Sequence, residues 1–87
     1  MRVIELNKIE REESELFYRR KYKCNAVLQL PTSDESIPVL FTIETDPFGK
    51  KIIELSFPTP VNYPLIPIKR ALVEFILTEE MEGRLPC

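Results

Sequence analysis

The segment LFYRRKYKCNAVLQL, residues 16–30, alternates apolar and polar side chains, and this pattern restricts the possible fold more than any other feature. Its even positions are mostly apolar: Leu16, Tyr18, Arg20, Tyr22, Cys24, Ala26, Leu28 and Leu30. Its odd positions are mostly polar. A strand places alternate residues on opposite faces of a sheet. The segment therefore predicts a strand of an antiparallel sheet that is covered on one side only.

Three other segments are also predicted to be strands. The first covers residues 2 to about 11, the third residues 37–45 and the fourth residues 50–57. The acidic stretch EREESE, residues 10–15, predicts a solvated turn before the second strand. Consecutive strands joined by short connections pair as an antiparallel meander.

Two turn sequences support this meander. PTSDES, residues 31–36, combines a proline with short side chains that hydrogen-bond to their own backbone. In the stretch DPFG, Pro47 suits the first central position of a type I turn, and Gly49 supplies the positive φ of a bulged hairpin. Each turn predicts a reversal of the chain between neighbouring strands.

The end of the chain predicts a crossover and a helix. PTPVNYPLIP, residues 58–67, has four prolines in ten residues and is incompatible with regular structure. Residues 68–83 have apolar side chains at helical spacing, and Pro67 and Gly83 suit the two ends of a helix. One side of this helix carries Ile68, Ala71, Leu72, Phe75 and Ile76. We therefore predict an α+β fold: a four-stranded antiparallel β-meander, a Pro-rich crossover and one C-terminal α-helix packed on the sheet.

The charges of the predicted helix leave a second interpretation open. Lys69 and Arg70 lie in its first turn and three glutamates in its last, the reverse of the order that the helix macrodipole favours. Residues 68–77 also alternate as a strand would. The sequence leaves open whether residues 68–82 are helix or partly strand, and the need to cover the sheet favours the helix.

A second apolar stripe, Val73, Leu77 and Met81, lies on the opposite side of the predicted helix. A helix that covers one sheet face needs only one such stripe. Either the crossover or the N-terminal strand covers the second stripe, or the stripe forms a homodimer contact. The sequence does not decide between them.

The polar face of the second strand presents Arg19, Lys21 and Lys23 in a row, about 7 Å apart by strand geometry, with Phe17 at one end. Cations that follow phosphates and a ring that stacks on a base are used by several single-stranded nucleic-acid binders. The predicted topology is also similar to that of Whirly-type single-stranded-DNA-binding domains. Further cations that would extend the row are Lys50, Lys51 and Arg70.

The same row has a simpler explanation. Glu44 and Glu54 point outward on the neighbouring predicted strands, and cross-strand ion pairs contribute about 0.2–1 kcal/mol each. The net charge of −2 also weakens the nucleic-acid interpretation. We interpret the row first as a solvated, ion-paired sheet face, then as a surface for a protein partner, and last as a nucleic-acid surface.

Several chemistries are not supported by this composition. The chain has no histidine, its two cysteines lie far apart, and its two glycines exclude Gly-rich phosphate loops. Its carboxylates concentrate in predicted turns. We therefore expect no enzyme activity, no metal and no cofactor.

The 87 residues predict a single small globular domain, 1–87, because 44% are hydrophobic and none form a linker or low-complexity tract. The N-terminus is too polar for a signal peptide, and no apolar run approaches the roughly 20 residues that cross a bilayer. Two cysteines are too few for a disulfide framework, and Cys24 is predicted to be a small core residue. We expect a cytoplasmic protein without a membrane partner.

Residues 52–75 contain Phe57-Pro58 followed by Tyr63-Pro64-Leu65-Ile66-Pro67. This stretch resembles the strand, Pro-Tyr-Pro loop and following strand of the ubiquitin-conjugating and RWD-type folds. The His-Pro-Asn motif and a following catalytic cysteine are missing. The resemblance therefore implies a non-catalytic interaction fold, with a strand after the loop.

These observations lead to one functional prediction and one alternative. The first is a non-catalytic, cytoplasmic protein-interaction module whose partner is a protein of unspecified identity. That partner includes a second copy bound through Val73, Leu77 and Met81 or through a sheet edge. The alternative is a single-stranded nucleic-acid-binding domain that uses the basic face of the second strand: Phe17, Arg19, Lys21 and Lys23.

Overall fold

The computed structural model describes residues 2–13 and 18–86, which form one sheet and one helix. The elements are β1 (Arg2–Glu12), β2 (Arg19–Gln29), β3 (Asp34–Thr45), β4 (Lys51–Ser56) and α1 (Leu65–Met81). The strands lie in the order β1-β2-β3-β4, and each neighbouring pair is antiparallel. The predicted meander with a C-terminal helix, and with it the α+β fold, is confirmed.

The core lies between one face of the sheet and α1. Tyr22 of β2 is paired in register with Phe41 of β3, and their rings stack with centroids 5.0 Å apart. The other buried residues of the two central strands are Cys24, Ala26, Leu28, Val39 and Ile43. Facing them, α1 buries Ile68, Leu72 and Ile76. Each large apolar side chain buried in this way contributes about 1.5–3 kcal/mol. The alternation in β2 thus determines which face of the sheet α1 covers.

The start of β2 differs from the prediction. Leu16 and Phe17 lie outside the described residues. Tyr18 was expected on the apolar face, but it is exposed in a turn before β2. Its carbonyl accepts a hydrogen bond of 3.0 Å from the N–H of Thr45, so its backbone continues the pairing while its side chain does not enter the core.

β1 and β3 are both longer than predicted. β1 reaches Glu12, so Glu10 and Glu12 are paired strand residues and not part of a solvated turn. β3 begins at Asp34 and not at Ile37. Backbone pairing does not require an apolar side chain, so polar residues at the end of a strand join the ladder without a hydrophobic signal.

β1 is an edge strand with two register shifts against β2, one at Ile4 and one at Lys8 and Ile9. Lys8 adopts a positive φ of +51° in the second shift. An extra residue reverses the alternation of the strand. Ile4 is therefore exposed while Leu6 packs against the core, although the sequence predicted that they share a face. Such irregularities also hinder edge-to-edge pairing with another sheet.

The turn between β3 and β4 has the predicted geometry. The Asp46 carboxylate accepts hydrogen bonds from the N–H groups of Phe48 (2.9 Å) and Lys50 (2.8 Å). The N–H of Gly49, at a φ of +85°, donates to the Asp46 carbonyl over 2.9 Å. The type I turn closed by a glycine bulge is confirmed.

α1 begins at Leu65, directly after Pro64, and Pro67 lies in its first turn. A proline is tolerated there because the first N–H groups of a helix have no partner within it. The strand interpretation of residues 68–82 is wrong. Since residues 68–75 are helical, the resemblance to the ubiquitin-conjugating and RWD-type folds does not extend past the loop.

α1 ends as the sequence predicted, at a glycine. The C-cap residue is Glu82, and Gly83 follows with a φ of +68°. The N–H of Gly83 donates to the carbonyl of Glu80 (3.2 Å), and the N–H of Arg84 donates to the carbonyl of Glu79 (3.0 Å). These two bonds form a Schellman motif, which satisfies carbonyls that the helix leaves free.

Arginines from outside α1 neutralise the glutamates of its last turn. Arg84 follows the helix and donates to the carboxylates of Glu79 (2.8 Å) and Glu82 (2.7 Å). Arg20 of β2 forms an ion pair with Glu80. The unfavourable macrodipole charges are therefore offset by contacts that the order of charges along the helix does not reveal.

Arg20 also helps to hold the segment after α1. Its guanidinium donates to the Tyr22 hydroxyl (3.2 Å), which donates to the carbonyl of Pro86 (3.0 Å). Leu85, the residue before Pro86, is buried in the core. Burial by itself lowers the pKa of Arg20, but the hydrogen bond with Glu80 and the nearby Tyr22 raise that pKa overall. A charged arginine thus links β2 to the end of the chain.

Replacement of Gly83 by alanine is expected to lower the free energy of unfolding by about 1–2 kcal/mol, because an L side chain at a left-handed φ is strained. A Cβ at this position meets no atom within 4 Å, so the loss comes from the backbone and not from a clash. Urea unfolding measures it. The control is Gly83→Asn, which tolerates this conformation better and is expected to lose less. Equal stability of wild type and Gly83→Ala would contradict the motif.

Burial raises the pKa of the Cys24 thiol to about 11. As the pH rises, the thiol of the unfolded chain ionises first, near pH 9, so the contribution of Cys24 to stability is present below pH 9 and is lost between about pH 9 and 11. Urea unfolding of wild type and Cys24→Ala across this range is expected to show a stability difference that shrinks as the pH rises. A difference independent of pH would show that the folded thiol is not shielded.

Candidate interaction surfaces

The predicted basic row lies on the open face of the sheet, the face that α1 does not cover. Arg19, Lys21 and Lys23 alternate along β2 with residues of the opposite, core-facing side. Phe17, the predicted aromatic member of this surface, lies outside the described residues. The structure therefore brings the three cations together on one face, as strand geometry requires.

Carboxylates from both neighbouring sides reach this row. Glu10 of β1 lies opposite Lys23, and their charged groups are 3.3 Å apart. Glu54 of β4 lies 3.7 Å from Arg19, across the intervening strand β3. Exposed pairs of this kind contribute little to stability, about 0–1 kcal/mol. They nevertheless balance the charge of the face, because an anion from outside would have to compete with them.

Lys21, in the middle of the row, lies between Glu12 of β1 and Thr42 of β3 in the strand register. With these two residues and Glu54, it lines a shallow cavity of about 270 Å³ on the open face. Two cations and two carboxylates therefore share this cavity, since Arg19 lines it as well. Its mixed charge does not select for a phosphate.

The cations that were expected to extend the row do not do so. Arg70 belongs to α1, which packs on the other face of the sheet. Lys51 donates from its ammonium group to the Thr45 hydroxyl (3.1 Å) at the end of the β3–β4 hairpin. Lys50 precedes β4 in the hairpin turn. The basic surface is therefore limited to one strand.

The second predicted surface is the outer side of α1. Val73 and Leu77 are half-buried, and Met81 is 86% exposed. Ile66 lies seven residues before Val73, two helical turns away, and is 73% exposed. We call these four residues the outer stripe: Ile66, Val73, Leu77 and Met81. Ile66 was missed because the predicted helix began at Ile68, two residues too late to include it.

The outer stripe is separate from the core. Ala71 and Phe75 of α1 are among the half-buried residues that pack against the core, whereas Val73 and Leu77 are not among them within the described part of the chain. Neither the crossover nor β1 makes the stripe part of the core cluster. The explanation that one of them covers the second stripe is therefore not supported by the packing of residues 2–13 and 18–86.

The charges beside the outer stripe are unevenly distributed. Lys69 and Arg70 are exposed near its N-terminal end, and Glu74 is exposed one turn later. No ion pair among the described residues engages these three side chains, in contrast to Glu79 and Glu80, which pair with arginines. The free charges of α1 thus adjoin the stripe.

Other sites do not form within the parts of the chain that the structure describes. No group of three or more His, Cys, Asp or Glu side chains there is arranged to hold a metal ion. Over the same residues, no helix combines the length and the apolar character needed to span a membrane. Phe48 is 96% exposed at the tip of the β3–β4 hairpin, where it stands alone and away from the outer stripe.

The chain belongs to a protein family that is described by a locus number alone, and the model of this family matches residues 1–79. The match includes all four strands and α1 as far as Glu79. The description of the family names no activity, ligand or partner. No curated protein and no solved structure matches the chain.

Proposed function

We propose that this chain is a non-catalytic protein-interaction module that forms a homodimer through the outer stripe of α1. The observation that carries the proposal is an apolar surface on the side of α1 that faces away from the core, with Ile66 and Met81 largely exposed. Contiguous apolar surface that a fold leaves uncovered is characteristic of interaction sites.

A helix surface is suited to this role because its side chains are already ordered by the fold. Ile68, Leu72 and Ile76 fix α1 on the sheet, so contact through the opposite side requires no folding of the helix. Removing apolar surface from water contributes about 25 cal/mol per Å². Pre-ordered side chains lose less conformational entropy on association, so more of this contribution remains as affinity.

Cytoplasmic localisation is part of the proposal. The described cysteine, Cys24, is a buried free thiol, which is compatible with a reducing compartment. Fractionation of cells that express the protein, with an antibody against it, tests this part independently of the dimer.

Leu77→Glu is expected to convert a dimer into a monomer, because it places two carboxylates, one from each copy, in an apolar contact. Sedimentation equilibrium over a wide range of protein concentration measures the mass. The matched control is Phe48→Glu, which makes the same type of change at an exposed apolar residue outside the stripe and should leave the dimer intact. A wild-type mass of one chain at all concentrations would refute the homodimer.

The alternative function is single-stranded nucleic-acid binding through Phe17, Arg19, Lys21 and Lys23. It is favoured by the alignment of three cations on one open face. The carboxylates of Glu10 and Glu54 count against it, because they already balance two of these cations.

Fluorescence anisotropy of a labelled single-stranded oligonucleotide tests this alternative. If the row binds nucleic acid, the affinity at low salt falls steeply as the salt concentration rises, and it is lost in the variant Arg19→Glu/Lys21→Glu/Lys23→Glu. Circular dichroism verifies that this variant folds. The paired charges lead us to expect no binding even at low salt, and salt-dependent binding would favour the alternative over the interaction module.

A further inference from the structure

The charges along α1 specify how two copies would be oriented. Its first turn has no acidic residue and its last turn no basic residue. Lys69 and Arg70 make the N-terminal half positive, and the C-terminal half is acidic. A helix with this asymmetry repels a parallel copy of itself and attracts an antiparallel copy, because opposite ends then meet.

Helical spacing places two of the free charges on the same flank of the outer stripe. Arg70 and Glu74 are four residues apart, so they lie one above the other on the helix surface. Both are exposed, and neither belongs to an ion pair among the described residues. In an antiparallel pair of helices, the same flanks of the two copies face each other. Arg70 of one copy then lies within about one helical turn of Glu74 of the other.

The apolar residues permit the same arrangement. When two copies of α1 are related by a two-fold axis near Val73, Ile66 of one copy lies opposite Met81 of the other. Leu77 then packs against Val73 and the aliphatic stem of Arg70, a contact that leaves the guanidinium free. The stripe is thus complementary to itself, as a two-fold interface requires.

We propose that two copies associate through antiparallel α1 helices, with the outer stripes in contact and Arg70 of each copy paired with Glu74 of the other. This inference rests on the proposed function, because it specifies the partner's orientation at the same surface. It explains why Arg70 and Glu74 are free in the single chain: each meets its partner only in the dimer. The macrodipoles also oppose each other in this orientation, which is favourable.

Charge reversal at Arg70 and Glu74 tests the pairing. Arg70→Glu or Glu74→Arg turns two attractive contacts per dimer into two repulsive ones, and each is expected to raise the dissociation constant about tenfold. An equimolar mixture of the two variants should associate as tightly as wild type, because each repelled partner is then replaced by an attracted one. Sedimentation at low salt measures the three constants.

The matched control reverses a charge on α1 that is away from the stripe. Glu79→Arg changes the net charge by the same amount as Glu74→Arg, but Glu79 lies on the side of the helix toward Arg84. It is expected to leave the dissociation constant unchanged while lowering stability. In a parallel dimer, Arg70 faces Arg70 and Glu74 faces Glu74, so the single reversals would have no effect, and that result would overturn the inference.

Disulfide trapping measures the orientation directly. In a Cys87→Ser background, a mixture of Ile66→Cys and Met81→Cys proteins is expected to form a mixed disulfide dimer on mild oxidation. Met81→Cys alone is expected to remain uncrosslinked. Residues 66 and 81 are about 22 Å apart along a helix, so the mixed product requires antiparallel helices. Crosslinking of Met81→Cys with itself would instead demonstrate a parallel dimer.

The outcomes separate this inference from the proposed function. A wild-type protein that stays monomeric at every concentration refutes both. A dimer that Leu77→Glu dissociates but that ignores the Arg70 and Glu74 reversals supports the stripe and overturns the antiparallel pairing. Binding of monomeric wild type to vesicles of anionic lipid, lost in Leu77→Glu, would identify a membrane surface as the occupant and would also overturn it.

Discussion

The packing of α1 on the apolar face of β2 and β3 is the interaction on which the rest of the structure depends. Ile68, Leu72 and Ile76 cover the face that carries Tyr22 and Phe41. A four-stranded sheet of this size with neither face covered would leave its apolar residues in water. Once α1 occupies one face, the open face must be polar and the far side of α1 becomes surface. Both candidate surfaces are therefore consequences of this single contact.

The same contact explains why a helix with unfavourable end charges is stable. Macrodipole effects amount to about 0.3–1 kcal/mol per charge, whereas each buried isoleucine or leucine contributes about 1.5–3 kcal/mol. Burial therefore outweighs the dipole. The glutamates at the end of α1 also have arginine partners, because Arg20 approaches from β2 and Arg84 folds back after Gly83. Their charge links the helix to the sheet.

Much of this fold could be predicted from the sequence, because its strands and helix differ in hydrophobic period. The alternation of residues 16–30, the turn at Asp46 and the stop at Gly83 depend on local interactions, and apart from the exposed Tyr18 the structure agrees with each of them where it describes the chain. The bulges at Ile4 and Lys8 could not be predicted, since an extra residue leaves no mark on composition. The Arg20–Glu80 pair also could not, because sixty residues separate its members.

The candidate surfaces show the same limit. The sequence placed Arg19, Lys21 and Lys23 on one face by parity, but the charge that balances Lys23 comes from Glu10, which was predicted to lie in a turn. Strand pairing brought that carboxylate to the row. The helix was different, because the residues beside the outer stripe are also its neighbours in sequence. Arg70 and Glu74 can be assigned to one flank from their spacing alone, whereas their freedom from intramolecular partners is visible only in the structure.

The two surfaces therefore differ in a way that bears on binding. On the open face of the sheet, each strand supplies charges that its neighbours neutralise, so the face is polar but its charges are already satisfied. On the outer side of α1, the apolar stripe and the charges at Arg70 and Glu74 have no counterpart within the described chain. A partner gains from contact where the fold leaves interactions unmade. By this criterion the helix, and not the basic strand, is the surface on which the chain depends for recognition.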